Sequence, residues 1–167
     1  MKKAIYAGTF DPVTFGHIDL IKRALEMFDH LVVAVASSSR KGTLFSKKER
    51  IRMLKKATRN LKKVTVDGFD GLMIDYAREK KINIILRGLR AFSDFEYEFQ
   101  MVLTNRKLLP KIETVFMMPR EDYSYFSSKL IKEIAELNGN VTAFVPDFVA
   151  RELKKRIYNG KTINSKK

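Results

Sequence analysis

The continuous apolar run in "HLVVAVAS", from His30 to Ser37, and a second buried strand expected at "INIILRG", from Ile82 to Gly88, restrict this chain more than any other feature. A half-exposed strand alternates apolar and polar residues, whereas a continuous run is expected where both faces of a sheet are covered. Around these runs lie stretches with helical spacing, such as Ile18, Ile21, Leu25 and Phe28 in "FGHIDLIKRALEMF". Further strands are expected at "KKAIYAG", "VTVDGF" and "IETVFMMP". Further helices are expected at "SKKERIRMLKKATRN", "GLMIDYAREKK", "FSDFEYEFQMVLTNRKLL", "SSKLIKEIAELNG" and "PDFVARELKKRIYNG". Ser46 and Glu49 form a capping box at the start of the second helix. Five strands alternating with helices predict a five-stranded parallel sheet flanked by helices, a doubly wound Rossmann-like α/β domain. It spans residues 1–160, with a frayed basic tail over 161–167.

Sheets of this kind bind ligands outside the carboxyl ends of their strands, where the strand order reverses. The residues that follow each strand are therefore the candidates: Gly8 to Phe10, Ser37 to Lys41, Gly68 to Met73, Arg87 to Arg90 and Pro119 to Ser128. Gly8 is expected to let an anion approach the main chain closely. The helix that starts near Thr14 presents free N–H groups to that anion. His17 falls in its first turn, where the positive end of the helix dipole disfavours imidazolium unless a phosphate lies nearby. The same turn without ligand chemistry is an ordinary tight connection, and the glycines alone favour that simpler reading.

The absence of cysteine excludes disulfides, thiolate nucleophiles and Cys-based metal sites, and fits a reducing, cytoplasmic setting. No apolar run approaches the ~18 residues that cross a bilayer. The formal net charge is +14, and eleven Lys or Arg crowd the stretch from Arg40 to Lys63 against the single acid Glu49. A nucleic-acid surface, a polyphosphate site and a plain compositional bias toward lysine all account for this. No zinc-finger spacing, RNP-like strand or GxxG clamp supports the first.

The stretch "GTFDPVTFGH" resembles the first signature of the nucleotidylyltransferase superfamily, usually HxGH and here Thr14-Phe15-Gly16-His17. In its TxGH form, together with "RGLRAFSDFEYEFQMVLTNRKL" from Arg87 to Leu108, it is similar to the phosphopantetheine adenylyltransferases. "YSYFSSKLIKEIA" from Tyr123 to Ala135 resembles the superfamily's C-terminal serine signature. The likeness covers about Ala4 to Leu153. It implies transfer of the adenylyl group of ATP to 4′-phosphopantetheine, giving dephospho-coenzyme A and pyrophosphate. It also implies a cytoplasmic homohexamer, Mg2+ arriving with ATP rather than in a protein cage, and coenzyme A as an inhibitor.

The chemistry suits the residues. A phosphate monoester has a second pKa of about 6 and is largely ionised at neutral pH, so the attack needs no general base. The obstacle is repulsion between two anions, which positioning and charge stabilisation can overcome. The resemblance makes His17, Lys41, Arg90 and Thr9 the catalytic set. It places Thr9, Phe10, His17, Gly88, Leu89, Arg90 and Glu98 on ATP, together with Tyr123, Ser124, Tyr125, Phe126, Ser127, Ser128 and Lys129. Thr9, Lys41, Leu72, Met73 and Arg87 would hold phosphopantetheine. Ser127 and Ser128 would cap a helix and donate to phosphate at once. Against these roles stand solvated lysines, surface ion pairs of Arg87 and Arg90 with Asp94 and Glu96, and ordinary core packing for Met73. Asp11 is expected to brace the turn, and His30 to be structural.

Three positions depart from the family pattern: Ala7 stands where proline is usual, Phe15 where asparagine is usual, and Lys129 in place of a third serine. Two other readings stay open. One is a nucleotidylyltransferase acting on nicotinate mononucleotide or glycerol phosphate; the other is a basic nucleic-acid-binding protein.

Overall fold

The computed structural model describes residues 1–37 and 42–164. Five strands, β1 (Lys3–Gly8), β2 (His30–Ala36), β3 (Val64–Phe69), β4 (Ile84–Gly88) and β5 (Glu113–Met117), form one sheet in the order β3-β2-β1-β4-β5. Every pairing is parallel, and β1 and β2 run in register from Lys3 opposite His30 to Gly8 opposite Val35. The apolar run in β2 is covered on both faces, as its composition requires. Val33 and Val35 pack with Leu20, Ile21 and Leu54 on one side, while Val32 and Ala34 pack with Ala77 and Ile82 on the other.

The helices are α1 (Phe15–Met27), α2 (Lys47–Ala57), α3 (Met73–Lys80), α4 (Phe92–Leu108), α5 (Glu121–Ser124), α6 (Ser128–Glu136) and α7 (Asp147–Asn164). Ser46 caps α2 with Glu49 completing the box, as the spacing predicts. The four-residue α5 has no sequence period long enough to announce it. Helix α7 continues past the expected stop at Gly160 to Asn164, because one glycine costs a helix only about 1 kcal/mol. Residues 161–164 thus belong to α7, and 165–167 lie outside the described residues. Beyond α6 the chain turns at Asn138, which is left-handed at φ 62°.

Strand order reverses between β1 and β4, whose connections depart to opposite halves of the sheet. Two chain exits thus diverge above their carboxyl ends and leave a crevice there. Among the described residues no helix is long and apolar enough to cross a membrane.

Candidate active site

A cleft of about 720 Å³ occupies that crevice. Its floor is the exit of β1 and β4, from Tyr6 to Asp11 with Arg87 and Gly88; its walls come from α1, the segment at Gly42 and Thr43, α4, and the start of α6. A second cavity of about 210 Å³ adjoins it on the α4 side. Thr9, Arg87, Tyr97 and Glu98 line both.

The β1–α1 turn places the histidine. Thr14 is the N-cap of α1, and His17 occupies the third helical position. The Thr14 hydroxyl accepts from the His17 N–H at 3.3 Å, and the Thr14 N–H donates to His17 Nδ1 at 3.0 Å. This is a capping box in which the imidazole takes the place usually held by a Glu or Gln side chain. An Nδ1 that accepts leaves the ring proton on Nε2. Burial, and secondarily the Arg90 charge, lowers the His17 pKa to about 4. The ring is therefore a neutral Nε2–H donor at physiological pH. Phe10 packs against it edge-on, with centroids 5.0 Å apart.

The unusual backbone of this turn lies at Phe10, with φ 50°, and not at Gly8. Gly8 serves instead as space: a Cβ there would meet the Phe10 ring at 3.0 Å. The Asp11–Pro12 peptide is cis. Asp11 is buried and accepts from the Leu44 and Phe45 N–H groups at 2.9 Å each and from Lys132 Nζ at 2.7 Å. It braces the turn, as expected from the sequence.

Arg87 and Glu98 are paired with each other. Nε donates to Oε2 at 2.8 Å and Nη2 to Oε1, while Nη1 donates to the Ala7 carbonyl at 2.5 Å. Burial works against the Arg87 charge, but the Glu98 carboxylate outweighs it and raises the Arg87 pKa. The separate duties expected of the two, one on the acceptor and one on ATP, thus start from a shared ion pair. Arg87 keeps N–H groups beyond these three bonds, because a guanidinium carries five. Arg90 bonds Asp94 through Nε at 3.2 Å and faces the cleft.

At the α6 end, Ser127 is the N-cap, accepting from the Leu130 N–H at 3.0 Å. A hydroxyl that accepts in a cap still carries its own proton. Ser128 also lines the cleft, and its hydroxyl donates to the Pro12 carbonyl at 2.9 Å. Tyr123, Phe126 and Lys129 line the cleft. Ser124, Tyr125 and Leu89 do not. Ser124 donates to the Glu121 carbonyl within α5, Tyr125 points to solvent, and buried Leu89 ties its N–H to Met117. Met73 lines the smaller cavity, whereas Leu72 is exposed at the N-cap of α3 and lines neither. Lys41 lies outside the described residues. His30 bonds Thr65 at the far end of β2, away from the cleft.

Several residues of this region escape a motif reading. Asp19 is buried in α1 and accepts from the Arg120 N–H at 3.1 Å, while Arg23 donates to the Met118 carbonyl at 2.6 Å; together they fix the segment after β5 over the cleft. Lys132 and Tyr97 line the cleft. Arg50 is buried under its floor. A usable signal existed for Arg50 and Asp19, since each charge sits among apolar residues on a helix stripe, Arg50 with Met53 and Leu54, and Asp19 with Ile18, Leu20 and Ile21.

Residues 5–134 match the family model for cytidylyltransferase-like proteins. A phosphopantetheine adenylyltransferase from Caldanaerobacter subterraneus subsp. tengcongensis is 52% identical over 156 residues, covering 93% of this chain and 98% of that protein. The chain belongs to the phosphopantetheine adenylyltransferases, within the cytidylyltransferase-like family. Another phosphopantetheine adenylyltransferase, from Alkaliphilus metalliredigens, is 49% identical over 156 residues, with 93% and 99% covered. Among solved structures, the lipopolysaccharide core biosynthesis protein from Thermoplasma volcanium GSS1 superposes with a TM-score of 0.56 at 26% identity, over 72% of this chain and 99% of that one. The phosphopantetheine adenylyltransferases thus carry the relationship along nearly the whole chain, and the fold is shared more widely.

Proposed function

We propose that this protein transfers the adenylyl group of ATP to 4′-phosphopantetheine, releasing pyrophosphate and forming dephospho-coenzyme A. The family supports the reaction, and the cleft supports its mechanism. The observation that carries it is the neutral His17, held with Nε2–H as donor at the helix N-terminus, where two anions would meet.

The terminal phosphate of phosphopantetheine attacks the α-phosphorus of ATP. A new P–O bond forms as the bond from that phosphorus to the bridging oxygen breaks, and pyrophosphate leaves with the electron pair. No proton need move. His17 donates to the α-phosphate oxygens as charge shifts onto them, a contribution whose loss typically costs about a hundred- to a thousandfold in rate. Thr9, at the boundary of the two cavities, orients the attacking phosphate. Arg87 turns its remaining N–H groups to that phosphate, and Lys41 reduces the repulsion between the two substrates. Arg90 and Ser127 hold the outer phosphates, with the free amides of α6 behind them. Phe10, Gly88, Glu98, Tyr123, Phe126 and Lys129 complete the nucleotide side. The smaller cavity, with Met73 and Met101, suits the pantetheine arm.

Mg2+ belongs to the proposal as part of the nucleotide. The cleft carboxylates fit that arrangement, since Asp11, Asp94 and Glu98 are each already paired with a cationic side chain. Among the described residues no three His, Cys, Asp or Glu side chains cluster as a metal cage. The ion would neutralise charge on the triphosphate.

A cytoplasmic location, a homohexamer and inhibition by coenzyme A are part of the same reading. Assembly is supported by α4, where Phe92, Phe95 and Phe99 stack in the open and Leu103 and Leu108 are exposed farther along. Coenzyme A carries the groups of the product and would compete for the same two cavities.

The test is an acceptor screen. With ATP and Mg2+, pyrophosphate release is expected with 4′-phosphopantetheine and absent with nicotinate mononucleotide or glycerol phosphate. Release with one of the latter and none with phosphopantetheine would overturn the assignment.

A further inference from the structure

Arg50, on α2, is 2% exposed, and it is the largest fully buried side chain among the described residues. Its guanidinium reaches three carbonyls from three segments. Nη1 donates to Thr9 at 2.6 Å and to Ala36 at 2.9 Å, and Nε donates to Phe45 at 3.1 Å. Thr9 directly follows β1, Ala36 ends β2, and Phe45 precedes the N-cap of α2. One rigid group therefore ties two strand exits and a helix entrance together.

Simple packing does not call for this. Burying a cation is costly, and a well-packed apolar side chain is often as stable or more so. Burial indeed lowers the Arg50 pKa, with Asp11 opposing the shift. What the guanidinium adds is direction, since its planar fork fixes several acceptors relative to one another, whereas an ammonium is a point. Asp11 grips the same segment from the other side through the Leu44 and Phe45 N–H groups. The stem that delivers Gly42 and Thr43 to the cleft wall is thus held by Arg50 and Asp11 against the Thr9 turn.

We infer that Arg50 is a positioning residue for adenylyl transfer: by holding the Thr9 carbonyl against the exit of β2, it sets the direction of the Thr9 side chain at the boundary of the two cavities. This rests on the reading in which Thr9 orients the attacking phosphate. Arg50 touches no substrate and acts through Thr9.

A double-mutant cycle tests it, using Arg50→Lys, Thr9→Val and the pair, assayed well below each protein's melting midpoint. Arg50→Lys keeps the charge and loses the fork. Misplacement of a reacting group by about 1 Å can cost a hundredfold, so kcat is expected to fall about ten- to a hundredfold while the KM for ATP stays nearly constant. In the Thr9→Val background the same substitution is expected to cost no more than about twofold, because the two act as one unit. An equal loss in both backgrounds, or no loss in the wild type, would overturn the inference. If Arg50→Lys does not fold, Asp11→Asn loosens the same stem from its other side; it is expected to show the same dependence on Thr9, and additivity there overturns the inference equally. The cycle is run with whichever phosphate acceptor the unaltered protein adenylylates. A failure of phosphopantetheine as acceptor then speaks against the functional reading alone.

Discussion

The backbone N–H of Thr14 donates to Nδ1 of His17 at 3.0 Å. This one bond settles which nitrogen of the ring faces the cleft with a proton, and it does so with the same geometry that starts helix α1. Under the proposed mechanism, local capping and the preparation of the ring as a donor are therefore a single arrangement.

Removing the imidazole separates rate from binding. His17→Ala is expected to lower kcat about a hundred- to a thousandfold and to change the KM for ATP little, because the donor matters most as charge develops. Steady-state kinetics of both substrates check this. A parallel rise in KM would mean that His17 is a ground-state contact.

The pH dependence has a definite sign. Folded His17 takes up a proton only near pH 4, whereas an unfolded histidine does so near 6.5. Between these values the unfolded chain binds more protons, so the stability contribution is complete above about 6.5 and is lost as pH falls toward 4. The whole effect is of order 3 kcal/mol. Melting midpoints should fall across that window, and His17→Gln should flatten the fall. The acid limb of kcat/KM for the acceptor should lie near pH 6, where the free phosphate dianion takes up a proton, and His17→Gln should leave it there.

With Arg87 on the acceptor phosphate, as proposed, the Arg87–Glu98 pair would tie stability to acceptor binding. Arg87→Met leaves the buried Glu98 carboxylate without its cation, and about 3–5 kcal/mol of stability should be lost. Adding Glu98→Gln should restore most of the melting midpoint. The KM for phosphopantetheine should stay high in both variants, since neither has the guanidinium. Thermal melts beside acceptor titrations distinguish the two effects.

Gly8→Ala probes the floor of the turn. The new methyl group would lie 3.0 Å from the Phe10 ring, which itself packs on His17. The neighbour must shift by a few tenths of an ångström, and the shift passes to the imidazole. A loss of kcat of about tenfold is expected, with stability lowered by about 1–3 kcal/mol.

The sheet was legible in the sequence because its signals are local. The apolar runs of β2 and β4 and the stripe of α1 need no partner to be recognised. The helix start at Thr14 and the cap at Ser127 followed from the same local chemistry. Residues whose meaning depends on distant segments were not legible. Ser128 donates to Pro12, 116 positions away, and no local pattern gives its hydroxyl that partner. Arg87 and Glu98 looked like two separate ligand contacts, because only the packing of α4 beside β4 brings them together. Gly8 is needed for room beside the Phe10 ring, a partner that only the folded turn, with Phe10 at φ 50°, brings back over it.

In the proposed reaction the cleft brings two repelling anions into direct contact, with no side chain bonded to phosphorus on the way. Stereochemistry at the α-phosphorus measures this most directly. With ATP made chiral there by isotopic or sulfur substitution, a single in-line displacement predicts inversion of configuration in the dephospho-coenzyme A formed. Retention would show two displacements and an adenylylated protein group, and would contradict the account.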